Sequence, residues 1–156
     1  MTADHDAVAA FLGRAPQAKF EVVVRGAEGL PVVIRNEPLL DDGTPMPTRY
    51  WLVDPELRRA IGTLESAGGV RQAEREVDRD ELSDAHRRYA YERDTHLPAE
   101  YTGPRPSGGV GGTRAGIKCL HAHFAWYLAG GDDPVGRWVD EQFRAAEDLR
   151  RQENAR

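Results

Sequence analysis

The sequence predicts an α+β fold: a small, mostly antiparallel three-stranded sheet covered by about five helices, in one domain spanning residues 1–156. Three observations point there. Runs rich in β-branched and aromatic residues occur only in the first third of the chain. Beyond residue 55, apolar residues recur at helical spacing instead. Two Asp-Pro pairs, Asp54-Pro55 and Asp133-Pro134, each open such a stretch. Strands grouped ahead of helices favour an α+β arrangement over alternating βαβ units.

The elements follow in order. Asp6 to Leu12 reads as a short helix with Val8, Ala9, Phe11 and Leu12 on an apolar face. Phe20 to Val24 and Pro31 to Arg35 read as two strands of a hairpin, joined by a turn containing Gly26 and Gly29. Asn36 to Pro47 holds three prolines and an Asp42-Gly43 pair, which marks a loop. Thr48 to Val53 is the third strand, with Tyr50 and Trp51 pointing to opposite faces.

Asp54 at the N-cap and Pro55 at the first helical position start a helix. Its stripe is Leu57, Ala60, Ile61 and Leu64, and Gly68-Gly69 stops it. Val70 to Thr95 is charge-dense and helical, with a break expected near Asp78 to Asp80, where the apolar stripe loses phase. Leu97 to Gly116 contains three prolines and six glycines and reads as a long loop. Ile117 to Ala129 reads as a central helix, ended by Gly130-Gly131. After Asp133-Pro134, residues Val135, Trp138, Val139, Phe143, Ala146 and Leu149 keep a helical period, and the polar tail from about residue 150 is expected to fray.

Composition narrows the function classes. The charged share is 30% and the net charge −5. That disfavours nucleic acid as the partner, because phosphate binding draws on a basic excess. A local basic pocket for a small anionic ligand remains compatible with it. One cysteine cannot form an internal disulfide, which fits a reducing compartment. No apolar run approaches the roughly 20 residues of a membrane span, and the acidic start carries no basic leader region. The expected location is the cytoplasm, with no membrane association.

Reactive groups concentrate between Gly108 and Gly131, GGVGGTRAGIKCLHAHFAWYLAGG. On a regular helix, Cys119 and His123 stand four residues apart on one face, and His121 falls roughly opposite. A thiolate and an imidazole so placed suit zinc or another divalent transition metal, or a nucleophile–base pair. A metal needs further ligands, for which Asp54, His86, His96 and His121 are candidates. There is no CxxC pair and no HExxH. Equally, free cysteine often behaves as a small buried hydrophobe. Asp54 is explained by its N-cap role alone.

The glycine loop ahead of this helix suits an anion. Gly109, Gly111 and Gly112 allow backbone N–H groups to converge, and Arg114 and Lys118 add positive charge. Known motifs do not fit. Gly111 and Gly116 have P-loop spacing, but Ile117 stands where Lys is required. The dinucleotide pattern fails at Arg114. A flexible entry into a buried helix explains the glycines equally well.

Three stretches together resemble a bacterial family catalogued as domain of unknown function 501. They are PVVIRNEPLLDDGTPMPTRYWLVDP, LESAGG and GVGGTRAGIKCLHAHFAWYLAGGDDPVGRWV. The resemblance runs from about Arg14 to Val139, and Lys118 to His123 is its most specific part. The family is widespread in actinobacteria, beside genes for a septum-formation initiator protein and an exopolyphosphatase. That neighbourhood implies a link to cell division or to polyphosphate metabolism. In the family pattern the position of Asp54 is often Cys or His, which implies that Asp54 joins Cys119 and His123 as a metal ligand.

The leading expectation is a metal-binding pocket beside an anion-binding glycine loop, serving as a hydrolase of a phosphorylated small molecule. Two alternatives stand beside it. One is a non-enzymatic module that docks a protein partner in cell division. The other is an enzyme using Cys119 as its nucleophile.

Overall fold

The computed structural model describes residues 2–156. It is an α+β fold, with a three-stranded antiparallel sheet and six α-helices. Helix α1 spans Ala3–Leu12, three residues longer at its start than the sequence suggests, because the Thr2 hydroxyl caps it by accepting from His5 N–H. Strands β1 (Phe20–Arg25), β2 (Pro31–Asn36) and β3 (Tyr50–Leu52) lie in that order across the sheet. β1 and β2 form the expected hairpin, with irregular register between Val22 and Arg25.

β3 is shorter than the apolar run that predicts it, and it lies at a sheet edge. Its register sets Trp51 opposite Ile34 and Leu52 opposite Val33. An edge strand leaves one row of backbone groups unpaired. Here the buried Tyr89 hydroxyl covers part of that row, accepting from Arg49 N–H at 2.6 Å and Tyr50 N–H at 3.0 Å. Burial pushes the Tyr89 phenol well above its usual range, so it remains a neutral hydroxyl.

The sheet divides two apolar clusters by side-chain alternation. Tyr50 and Leu52 enter the main core with Ile61, Tyr89, Leu120, Phe124, Trp126 and Trp138. Trp51 faces the other way, against a smaller cluster of Val8, Ile34 and Val53 beneath α1.

Helix α2 (Pro55–Ser66) begins where Asp54 caps it, the carboxylate accepting from Leu57 N–H at 2.9 Å. α3 (Gly69–Glu76) and α4 (Arg79–Asp94) replace the charge-dense stretch, broken at Val77-Asp78 as predicted. Asp78 caps α4 through Asp80 and Glu81 N–H. α6 (Pro134–Asn154) starts from Asp133 and stays helical to Asn154.

The central helix differs from expectation. α5 runs only from Leu120 to Leu128, and Cys119 is its N-cap in extended conformation, φ −153° and ψ 154°. Two remote carboxylates hold the entry open. Glu74 of α3 accepts from Ile117 N–H at 3.0 Å, and Glu65 of α2 accepts from Leu120 N–H at 2.7 Å. The Leu120 bond satisfies a donor at the start of the helix that the Cys119 side chain does not cap, and the Ile117 bond fixes the extended approach to it.

Candidate functional site

The late start of α5 changes which reactive groups meet. With Cys119 extended, the helical-face argument that joined it to His123 no longer holds. His121, the second residue of the helix, comes to its side instead. Glu65, Cys119 and His121 each offer one ligand atom, and these atoms lie within 4.8 Å of one another. All three residues are half-buried.

His121 is held by acceptors on both ring nitrogens. Nδ1 lies 3.1 Å from Glu65 Oε1, and Nε2 lies 3.2 Å from the Arg58 carbonyl oxygen. Hydrogen bonding to Cys119 is the main influence that raises the imidazole above its usual range. The Glu65 charge and the Arg58 carbonyl add to it, while partial burial opposes. Glu65 was not among the residues the sequence pointed to. It lies in the last turn of α2, and nothing in LESAGG marks it as facing α5.

His123 and Asp54 sit elsewhere. His123 is fully buried, and its Nδ1 contacts Asp133 Oδ2 at 2.6 Å. The other oxygen of Asp133 accepts from Val135 N–H at 2.9 Å. One carboxylate thus caps α6 and fastens α5 to it. Asp54 is engaged at the start of α2.

The glycine loop is built around a third histidine. Val110 N–H donates to His86 Nδ1 at 3.1 Å, so Nδ1 carries the lone pair and Nε2–H donates to the Gly116 carbonyl at 2.8 Å. Burial, the largest influence, pushes His86 below the usual histidine range, which favours this neutral ring. Gly109 lies so close to His86 that a Cβ there would stand 2.5 Å from Nδ1. Arg93 is buried as well. Its Nη1 donates to the Pro47 and Gly108 carbonyls, at 3.1 and 2.9 Å, and pins the proline-rich loop to the glycine loop.

The glycine loop therefore does not run straight into a helix. Val110–Gly112 make one 3₁₀ turn, and Thr113 to Cys119 intervene before α5. Of the residues suggested for an anion, Gly111 and Lys118 line a common cleft. Gly109 packs on His86, Gly112 lies beside Pro47, and Arg114 is exposed.

That cleft has a volume of about 360 Å³ and opens beside β3, between the end of α1 and the start of α5. Cys119 and His121 form part of its wall, with Arg14, Arg58, Lys118, Trp51 and Thr48. Gly111 adopts φ +69°, a left-handed conformation suited to glycine, and the Lys118 stem passes 3.5 Å from where a Cβ would stand. No carboxylate lines the cleft. Among the described residues, none of Arg14, Arg58 and Lys118 has a carboxylate partner. The lining is basic, and it adjoins a soft donor, an imidazole and a carboxylate.

Among the described residues, no helix is long and apolar enough to cross a membrane. Comparison with curated proteins and with solved structures returns no match. Residues 22–141 match a family described as "Protein of unknown function (DUF501)". That span takes in all but the first two residues of the sheet, the proline-rich and glycine loops and every residue of the Glu65–Cys119–His121 group, and the chain belongs to this family.

Proposed function

We propose that Glu65, Cys119 and His121 hold a divalent transition metal of the zinc type, and that the basic cleft presents a phosphorylated small molecule to it for hydrolysis. The observation that carries this reading is the meeting of three different metal-ligand types, two of them in the wall of a cleft whose charged lining residues are all basic.

The donor set fits such an ion. Zinc bonds of about 2.0–2.3 Å place ligand atoms roughly 3.5 Å apart, within reach of side-chain rotation from the separations here. Metal-bound histidines usually donate their second ring N–H to a carbonyl or carboxylate. His121 has that arrangement available: Nε2–H donates to Arg58 and leaves Nδ1 facing Glu65. When bound, the ion supplies Lewis acidity toward a phosphoryl oxygen, with a fourth coordination position open. Arg58 and Lys118 neutralise the phosphate and orient it. Glu65 Oε2 stays on Leu120 N–H, so the same carboxylate that fixes the helix start presents Oε1 to the site.

Metal analysis of protein purified without a histidine tag tests this. Near-stoichiometric metal is expected, with metal affinity falling in Cys119→Ala and His121→Ala by at least the roughly 10–100-fold that loss of an outer-shell partner alone costs. Metal-free protein whose stability does not respond to added zinc or to a chelator would overturn it.

A further inference from the structure

The cleft joins its basic lining to an aromatic platform. Trp51 turns away from the main core, stays half-exposed, and forms one wall. The Arg14 guanidinium lies over its ring, Cζ being 5.5 Å from the centroid. Arg14 is exposed and has no carboxylate partner among the described residues, so its position over the indole is a stacking contact alone. Leu12 and Leu52 extend the apolar surface around this pair. An indole face with a guanidinium above it is a common seat for a planar base, which stacks favourably on both. A simple phosphate or sugar phosphate makes no use of that surface.

Size limits the candidates. About 360 Å³ lies toward the small end of ligand pockets, which run about 300–1,000 Å³. That space suits one nucleotide and not a strand, in keeping with the net charge of −5.

We infer that the phosphorylated ligand is a mononucleotide: the base stacks on Trp51 in place of the exposed Arg14 guanidinium, which lifts to cover its outer face, and the phosphate lies toward Arg58, Lys118 and the Glu65–Cys119–His121 group. This rests on the anion-and-metal reading of the same cleft and specifies its substrate class. Stacking supplies affinity for the base. The cationic lining supplies affinity for the phosphate.

Calorimetric titration of the zinc-loaded protein with AMP, ribose 5-phosphate and adenosine tests it, with metal content measured on each sample. AMP is expected to bind at least about tenfold more tightly than ribose 5-phosphate, the size of one base–aromatic stack. In Arg14→Ala and Trp51→Leu, AMP should bind no more tightly than ribose 5-phosphate does to the same variant, with metal content unchanged. Arg14 is exposed, so its variant reports even if Trp51→Leu fails to fold. Equal binding of AMP and ribose 5-phosphate, or AMP binding indifferent to Arg14→Ala, would overturn the nucleotide assignment and leave the anion cleft standing. A zinc-loaded protein that binds neither phosphate compound would overturn both.

Discussion

At the scale of single residues, three histidines in or beside the site have different physical states. His86 is a neutral hub, accepting from Val110 and donating to Gly116. His123 is tied to a carboxylate in the core. His121 stands at the cleft with acceptors around it. The pH consequences of His86 and His121 have opposite sign. His86 has a lowered folded-state pKa, so its contribution is complete above the unfolded value of about 6.5. That contribution is lost as pH falls below this value toward the folded one, where the unfolded chain binds more protons. His121 has a raised value, so its contribution is complete below about 6.5 and is lost as pH rises through the folded value. His86→Gln should therefore lose less stability than the parent between neutral and mildly acidic pH, read from denaturant midpoints. An unchanged difference would show that His86 is not the neutral hub described. Gly109→Ala drives a methyl group into the same ring and should cost about 1–3 kcal/mol, measured by the same method.

At the scale of elements, capping by remote carboxylates decides the site. Asp54, Asp78 and Asp133 cap their own helices, and the caps at Asp54 and Asp133 were legible because an N-cap and its helix are neighbours in sequence. The hairpin, the break at Asp78 and the Asp-Pro helix starts were legible for the same reason. The start of α5 was not. Its first N–H, on Leu120, is met by Glu65, 55 positions away, and the approach at Ile117 is held by Glu74, 43 positions away; no local pattern encodes either. A regular helix from Ile117 would set Cys119 with His123; the observed start sets it with His121 and Glu65. Cys119 was thus identifiable from the sequence as a reactive group, and its partners were fixed only by packing. Substitution separates the two kinds of cap. Asp54→Asn keeps a good N-cap and should change stability by less than about 0.5 kcal/mol, whereas Asp54→Ala should cost about 0.5–2 kcal/mol. Glu65→Ala strips the Leu120 donor and should cost about 1–3 kcal/mol, and Glu65→Gln less, because its amide oxygen can still accept. Thermal and denaturant unfolding read both series.

At the scale of the whole molecule, the sheet works as a partition. Alternation along β3 sends Tyr50 and Leu52 into the main core and Trp51 toward α1, so the cleft forms at a sheet edge where the two apolar clusters adjoin. The last turns of α6 play no part in this. From Arg144 onward every residue is exposed, with ion pairs Asp140–Arg144 and Glu147–Arg151 along the helix surface. Removing residues 144–156 should leave the unfolding midpoint within a few degrees of the parent, since no buried residue is lost with them. A large fall would mean that the helix end packs in a way its exposure does not reveal. The central claim is the convergence of α2 and α5 on one metal. Cobalt(II) titration of the metal-free protein tests it most directly, because a thiolate ligand gives a sulfur-to-cobalt charge-transfer band in the near ultraviolet. The band should appear at one equivalent, vanish in Cys119→Ala, weaken in Glu65→Ala and His121→Ala, and persist in Asp54→Asn. Absence of the band in the parent, or its survival in Cys119→Ala, would contradict the account.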